Sequence, residues 1–158
     1  MVFWVMTNQT ATDRDACAVN WWEGNGLVDA KNCGILNDFG VSLLGSKASF
    51  GIGNPDVSII STKKINDDMW HQVAATRSRK SGEIKLYVDG TLEGYAYASQ
   101  NPLTSPSWIG FGNNPCNIQN DRRWFNGYVY DLKMYDKVLG ARYIEDMYIA
   151  SKDNLPLI

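Results

Sequence analysis

Residues 70–95, WHQVAATRSRKSGEIKLYVDGTLEGY, decide the fold of this 158-residue chain. Polar and apolar side chains alternate through residues 71–76 and, more clearly, through residues 84–89. Alternation at a period of two predicts strands with one buried face. The polar turn 79–82 contains glycine and joins these strands, and Asp89-Gly90 predicts a second, tight turn because glycine accepts a positive φ. The stretch is therefore predicted to form a three-stranded antiparallel meander.

The rest of the chain carries further strand patterns and one helical pattern. Strands are predicted at residues 2–6, 20–30, 38–44, 48–53, 57–61, 108–112 and 124–135. Glycines are expected to bend the second of these strands, and a bulge is expected in the last, with Val129, Leu132 and Met134 buried. Apolar residues at helical spacing predict a short helix over residues 139–148. The predicted fold is an all-β antiparallel sandwich, because the helix–strand alternation of nucleotide-binding α/β folds is absent from the sequence.

Composition excludes several classes of protein. The net charge is −2 and the basic residues are scattered, which argues against a nucleic-acid partner. No apolar run approaches the roughly 20 residues of a membrane-spanning helix. The first residues lack the pattern of a signal peptide. The three cysteines show no C-x-x-C spacing, which argues against zinc.

Several motifs stand in a recognisable order along the chain. They are N-D-F-G at 37–40, F-G-I-G-N-P-D at 50–56, W-H-x-V-A-x-T-R at 70–77, L-Y-V-D-G at 86–90, W-I-G at 108–110, F-N-G at 125–127 and L-K-M-Y at 132–135. Over residues 2–148 the chain thus resembles laminin-G-like domains of the concanavalin A-like lectin/glucanase superfamily, in its bacterial-type branch. The resemblance implies one jelly-roll domain, residues 1–149, followed by a tail, residues 150–158. Relative to that family, the usual leading strands are missing.

The resemblance favours a non-catalytic binding module, above all for carbohydrate, in a secreted or cell-surface protein. One fold hosts many functions, so other classes stay open. A protein–protein adhesion or assembly module is the alternative. A glycoside hydrolase-related enzyme is the third reading.

Few residues are suited to catalysis. His71 is the single histidine and shares the phase of buried strand positions, so it is predicted to be packed and hydrogen-bonded. Glycoside hydrolysis needs two carboxylates about 5–10 Å apart. The sequence has no E-x-D-x-x-E pattern, and Asp67-Asp68 are adjacent and diverge on an extended backbone. The chain is therefore predicted not to be an enzyme.

Adjacent aromatic residues supply the candidate binding site. On a strand, Trp21 and Trp22 point to opposite faces, as do Trp124 and Phe125. An outward tryptophan can stack on a sugar ring while polar neighbours bond its hydroxyls, although covering the core or a sheet edge is the more common role for these rings. The predicted ligand-binding residues are Trp22, Trp124, Asn113, Asn114, Asn120 and Arg123.

Calcium is the cofactor that the family resemblance implies. It takes hard oxygen ligands from loops, and many relatives hold it at a rim. The candidate ligands are Asp13, Asp15 and Asp131. Asn/Asp clusters in turns also form for local hydrogen bonding alone, so a structural role is the competing interpretation.

The loops 7–18 and 113–123 are expected to share one rim, since an even number of alternating strands separates them. This predicts a Cys17–Cys116 disulfide in an oxidising compartment, with Cys33 free. Three buried thiols are the alternative.

The N-terminal strand, residues 2–6, is apolar in both phases and must be covered on both faces. The helix could cover one face, but the missing leading strands predict an open sheet edge beside it. A second copy pairing at this edge, in a two-fold homodimer, is therefore expected, and the alternative is that the chain is a fragment of a longer protein.

Overall fold

The computed structural model describes residues 1–11, 19–31, 34, 36–104, 109–113 and 123–158. Within them lie two five-stranded sheets and one α-helix. The strands are β1 Val2–Met6, β2 Asn25–Asp29, β3 Phe39–Leu44, β4 Lys47–Ile52, β5 Val57–Lys64, β6 His71–Arg77, β7 Glu83–Val88, β8 Thr91–Tyr97, β9 Gly110–Phe111 and β10 Tyr128–Lys133, and the helix is α1 Ala141–Ser151. The first sheet has the order β10-β1-β6-β7-β8, and the second has the order β5-β4-β3-β2-β9. The predicted antiparallel β-sandwich with a short C-terminal helix is confirmed.

The predicted meander forms strands β6, β7 and β8. Val73 pairs with Val88 and Ala75 with Leu86, and all four side chains lie in the core between the sheets. At the second turn Asp89 and Gly90 have φ values of 52° and 76°. Two successive positive φ values match the right-handed twist of the flanking strands, which is why the Asp-Gly pair closes this hairpin.

Strand β1 is an interior strand of the first sheet. It is hydrogen-bonded to β6 on one side and to β10 on the other. The prediction of an open edge at residues 2–6 is therefore wrong, and so is a homodimer formed through that edge, because β10 already occupies it. The prediction that both faces are covered is confirmed. Phe3 and Val5 lie between the sheets, whereas Val2 lies under α1 and the ring of Trp4 stacks on Tyr148 with centroids 5.7 Å apart.

The predicted bulge in the last strand is present. Tyr130 and Lys133 are three positions apart on β10, whereas their partners on β1, Trp4 and Val2, are only two positions apart. The extra residue, Asp131, has a φ of 53°. The bulge allows Val129 and Leu132 both to pack on the core. Met134 is 49% exposed, contrary to prediction, because β10 ends at Lys133 and the chain leaves the sheet.

Helix α1 begins two residues later and ends three residues later than predicted. Its buried residue Ile144 packs with Leu139, Val2 and Ala74 on the outer face of the first sheet. Beyond the helix, the indole of Trp70 donates a hydrogen bond of 3.1 Å to the carbonyl of Pro156. The terminal segment is thus fastened to the turn before β6.

Trp21 lies flat against the outer face of the second sheet. The predicted strand 20–30 starts as one 3-10 turn, Trp21–Glu23, before β2. Its tryptophan is fully buried, and a Cβ on Gly51 would lie 1.9 Å from Trp21 Cδ1. A Cβ on Gly40 would lie 2.5 Å from Trp21 Cζ3. Two glycines facing each other across β3 and β4 therefore provide the space that the indole occupies.

The replacement Gly51→Ala should destabilise the protein, because its methyl group and the indole of Trp21 would occupy the same space. A shift of the indole should cost on the order of 1–3 kcal/mol in the free energy of unfolding. Gly140→Ala is the matched control, since nothing lies within 4 Å of a Cβ there. Urea unfolding followed by tryptophan fluorescence measures both variants. Equal unfolding midpoints for the two variants would show that the space at Gly51 is not needed to pack Trp21.

Candidate functional site

Four of the six predicted ligand-binding residues lie on one surface at the start of β2. Arg123 Nη1 donates hydrogen bonds to the carbonyls of Trp22, at 3.2 Å, and Glu23, at 2.8 Å. The side-chain amide of Asn25 donates a 2.8 Å hydrogen bond from Nδ2 to the backbone carbonyl of Trp124. The carbonyl of Asn113 lies beside the next residue of β2, 2.7 Å from where a Cβ on Gly26 would be. We call Trp22, Asn113, Arg123 and Trp124 the tryptophan rim; Asn114 and Asn120 lie outside the described residues.

The two tryptophans of the rim are held differently. Trp22 is half-buried; its Nε1 donates a 3.0 Å bond to Asp56, and Lys31 Nζ lies 4.9 Å from the centroid of its ring. These contacts fix the plane of the ring and place both charges next to it. Trp124 is 58% exposed. Each of these tryptophans has a more buried neighbour, Trp21 in one case and Phe125, which packs against the core, in the other. Neither pair lies on a strand as predicted, because Trp21 and Trp22 are in the 3-10 turn and β10 begins only at Tyr128.

Gln9 holds the chain at the Trp124 end of the rim. Its side chain donates a 2.9 Å bond to the carbonyl of Trp124 and accepts a 2.8 Å bond from the amide of Asn126. The described flanks of loops 7–18 and 113–123 therefore lie together, as predicted. Cys17, Cys33 and Cys116 lie outside the described residues, so the disulfide stays a prediction.

Asp29 is a site residue that the sequence reasoning did not select. It is 1% exposed, and burial, which disfavours the charged carboxylate, raises the pKa of Asp29 to about 7. A 2.7 Å bond from the amide of Lys31 and the charges of Lys31 and Arg123 act in the opposite direction without cancelling the effect of burial. The only sequence signal was one acidic residue in the otherwise apolar segment G-L-V-D-A.

A raised carboxyl pKa is typical of a general acid, but Asp29 lacks the access that catalysis requires. The acidic neighbour that further raises its pKa is Asp38, which is 4% exposed. Hydrolysis of a glycosidic bond needs two carboxylates that both reach the substrate. Asp29 and Asp38 are both buried and cannot reach a substrate, so the described residues give no support to glycoside hydrolysis.

His71 is the packed, hydrogen-bonded histidine that the sequence predicted. Its Nδ1 lies 2.8 Å from Asp89 and its Nε2 lies 2.9 Å from Asp67, and the residue is 5% exposed. Burial disfavours the charged ring, but the hydrogen bonds to the two carboxylates outweigh it, so the pKa of His71 lies above its usual value of 6.5. A ring with both nitrogens bonded to carboxylates is held as an imidazolium and is not available as a base.

Asp131 is the described member of the predicted calcium set. It lies in β10 of the first sheet, where its carboxylate pairs with Lys133. Among the described residues, no three His, Cys, Asp or Glu side chains are grouped closely enough to hold a metal ion. Asp13 and Asp15 lie outside those residues. No described helix is long and apolar enough to cross a membrane.

Replacing Asp29 should change how stability depends on pH. Its pKa is higher in the folded state than in the unfolded chain, so the folded state loses stability as the pH rises from about 4 to 7, by at most about 1.4 kcal/mol per pH unit. Asp29→Asn keeps an acceptor for Lys31 N and removes this loss. The free energy of unfolding of Asp29→Asn, relative to that of the wild type, should therefore increase as the pH rises across that range. Asp136→Asn, at an exposed position, is the control, and parallel profiles for the wild type and Asp29→Asn would contradict the prediction.

Comparison with known families gives one match. A family model described as Concanavalin A-like lectin/glucanases superfamily, Laminin_G_3, matches residues 1–145. Sequence comparison with curated proteins finds no match.

Solved structures share the fold at low sequence identity. A candidate carbohydrate-binding protein from Bacteroides ovatus is 12% identical with a TM-score of 0.66, covering 91% of this chain and 38% of that one. Domain 4 of AbnA, an extracellular GH43 arabinanase from Geobacillus stearothermophilus in complex with arabinotriose, is 17% identical with a TM-score of 0.65. The match covers 93% of this chain and 64% of that one. Domains LG4-5 of the mouse laminin α1 chain are 21% identical with a TM-score of 0.58, and the match covers 82% of this chain and 32% of that one. This chain thus spans less than two thirds of each of these chains. With a family model that matches residues 1–145, the chain belongs to the laminin G-like family Laminin_G_3 of the concanavalin A-like lectin/glucanases superfamily.

Proposed function

We propose that this chain is a non-catalytic carbohydrate-binding module and that the tryptophan rim is its binding surface. The observation that carries the proposal is the exposed indole of Trp124, 58% accessible, next in the chain to Arg123, whose side chain bonds the carbonyl of Trp22. The apolar face of an indole stacks on the C–H face of a sugar ring. Water is released from both faces in that contact, which stabilises the complex.

Polar groups adjoin both rings and suit the hydroxyls of a sugar. Asp56 and Lys31 contact Trp22, and Arg123 precedes Trp124 in the chain. Carboxylate acceptors and cationic donors near an aromatic platform fix the orientation of a polyhydroxylated ligand. Since Arg123 also bonds two carbonyls of the 3-10 turn, the cation and the tryptophans are positioned as one unit.

The comparisons favour a carbohydrate as the ligand class. One of the similar structures is a candidate carbohydrate-binding protein, and another is a domain in complex with arabinotriose. The latter comes from an extracellular enzyme, in keeping with a secreted or cell-surface context for this module. Calcium held by Asp13 and Asp15 is a separate part of the proposal, to be tested by chelation.

The test is a glycan array probed with the wild type, Trp124→Ala and Trp22→Ala. Each variant should bind the glycans that the wild type binds with an affinity lower by on the order of tenfold, because stacking area is removed. Tyr97→Ala is the matched control: Tyr97 is an aromatic residue with 64% exposure, on β8 of the other sheet. Repeating the array with calcium and with chelator tests the metal.

The outcomes separate the function classes. An equal loss of binding in Tyr97→Ala and Trp124→Ala would refute the rim as the binding surface. An array without hits would refute the carbohydrate ligand and favour protein–protein adhesion or assembly. Binding that is unchanged by chelator would remove calcium from the proposal.

A further inference from the structure

A cavity lies on the other side of the sandwich, between α1 and the outer face of the first sheet. Its volume is about 290 Å³. Strands β1 and β6 contribute Val2, Trp4 and Gln72; β10 and the segment after it contribute Asp131, Lys133 and Tyr135; and α1 contributes Tyr143, Met147, Ala150 and Ser151. Exposed residues from β10 and α1 stand at its entrance, so the cavity is open to solvent. Its size lies just below the roughly 300–1,000 Å³ of pockets for drug-sized ligands.

Gln72 is the residue that makes this cavity unusual. It is 1% exposed, and its Oε1 is buried and has no hydrogen-bond partner among the residues that the structure describes. Buried polar atoms in native proteins are nearly always bonded, and leaving an acceptor unmatched disfavours the folded state. A buried strand position facing a helix would normally carry an apolar residue, as its neighbour Ala74 does. The described residues supply no donor for this acceptor. The atom is also closed to water, so a donor from outside the chain reaches it only when a side chain that lines the cavity moves aside.

The wall opposite α1 is polar but electrically balanced. Asp131 and Lys133 line the cavity and form an ion pair, so the two charges neutralise each other. The bulge in β10 creates this arrangement, because Asp131 takes a left-handed conformation, φ 53°, and leaves the normal alternation. Non-glycine residues in that conformation are uncommon, and bulges often re-aim side chains at binding sites. A wall with one acceptor, one donor and no net charge suits a neutral ligand that has several hydroxyls.

The remaining walls are aromatic and apolar. Trp4 is held in place by its stack on Tyr148, while Tyr135 and Met147 contact each other through a 3.8 Å O–H···S bond. Tyr143 is 53% exposed. We propose that this cavity binds a single neutral sugar residue, whose hydroxyl donates to Gln72 Oε1 while its ring packs against these side chains. The site shares no lining residue with the tryptophan rim.

The experiment is a ¹⁵N–¹H NMR titration with methyl glycosides of glucose, galactose, mannose, arabinose and N-acetylglucosamine at millimolar concentrations. At least one should shift the indole N–H signal of Trp4 and the side-chain amide of Gln72. Gln72→Leu should weaken this binding about tenfold or more, because the acceptor is lost. Its melting temperature should equal or exceed that of the wild type, since an unmatched buried acceptor is removed.

Three further variants make the result specific. Gln100→Leu makes the same change at an exposed glutamine and should bind like the wild type. Trp124→Ala should leave these shifts unchanged, which separates the cavity from the rim. Tyr143→Ala removes an exposed cavity residue without disturbing the core, so it should weaken binding even if Gln72→Leu does not fold.

The results that would overturn the proposal are equally definite. They are no shift with any glycoside, as for a cavity that holds only water; unchanged binding in Gln72→Leu; or shifts that disappear in Trp124→Ala. A response to a zwitterion, tested with free glycine and phenylalanine, and not to the glycosides would also reject a neutral sugar.

Discussion

The packing of Trp21 on two glycines is the interaction on which the candidate site depends. An indole can lie flat on β3 and β4 because Gly40 and Gly51 leave that face without side chains. The buried ring anchors the 3-10 turn, and its neighbour Trp22 is thereby directed outward. Asp29 Oδ1 adjoins the same Gly40 position as Trp21. One packing arrangement thus orients the rim and excludes water from the carboxyl, whose pKa burial raises.

A second constraint joins the two sheets at the other end of the meander. The carboxylate of Asp89 lies 2.5 Å from Lys63 of β5 and 2.8 Å from His71 of β6, and it accepts a 2.8 Å bond from the amide of Gln72. Burial opposes the charge, but these bonds outweigh it and lower the pKa of Asp89. Its ionised form therefore links the sheets, and the turn residue that closes a hairpin also serves as a point of attachment. Because both ring nitrogens of His71 are bonded to carboxylates, one of them that of Asp89, the single histidine has a structural role.

The two proposed binding surfaces use different residues of the sandwich and different physical devices. The rim offers an exposed ring, Trp124, with charged groups beside it, so its recognition would depend on stacking over a broad surface. The cavity offers a buried acceptor, Gln72, and would recognise one small ligand by enclosing it. In both, local irregularity positions the side chains: a 3-10 turn places Trp22, and a bulge places Asp131. Regular strands supply the support, and breaks in regularity supply the chemistry.

The sequence alone determined the strands of the meander, their Asp-Gly turn and the bulge, because these follow from short-range periodicity and backbone preference. Tertiary structure decided which edges meet. No local pattern shows that β10 closes the edge of β1 from more than 120 residues away, so that edge was wrongly predicted to be open. The raised pKa of Asp29 and the unmatched Oε1 of Gln72 were equally hidden. Both properties depend on which distant segments exclude water from a polar atom, and that is fixed only when the sheets pack and the helix covers them.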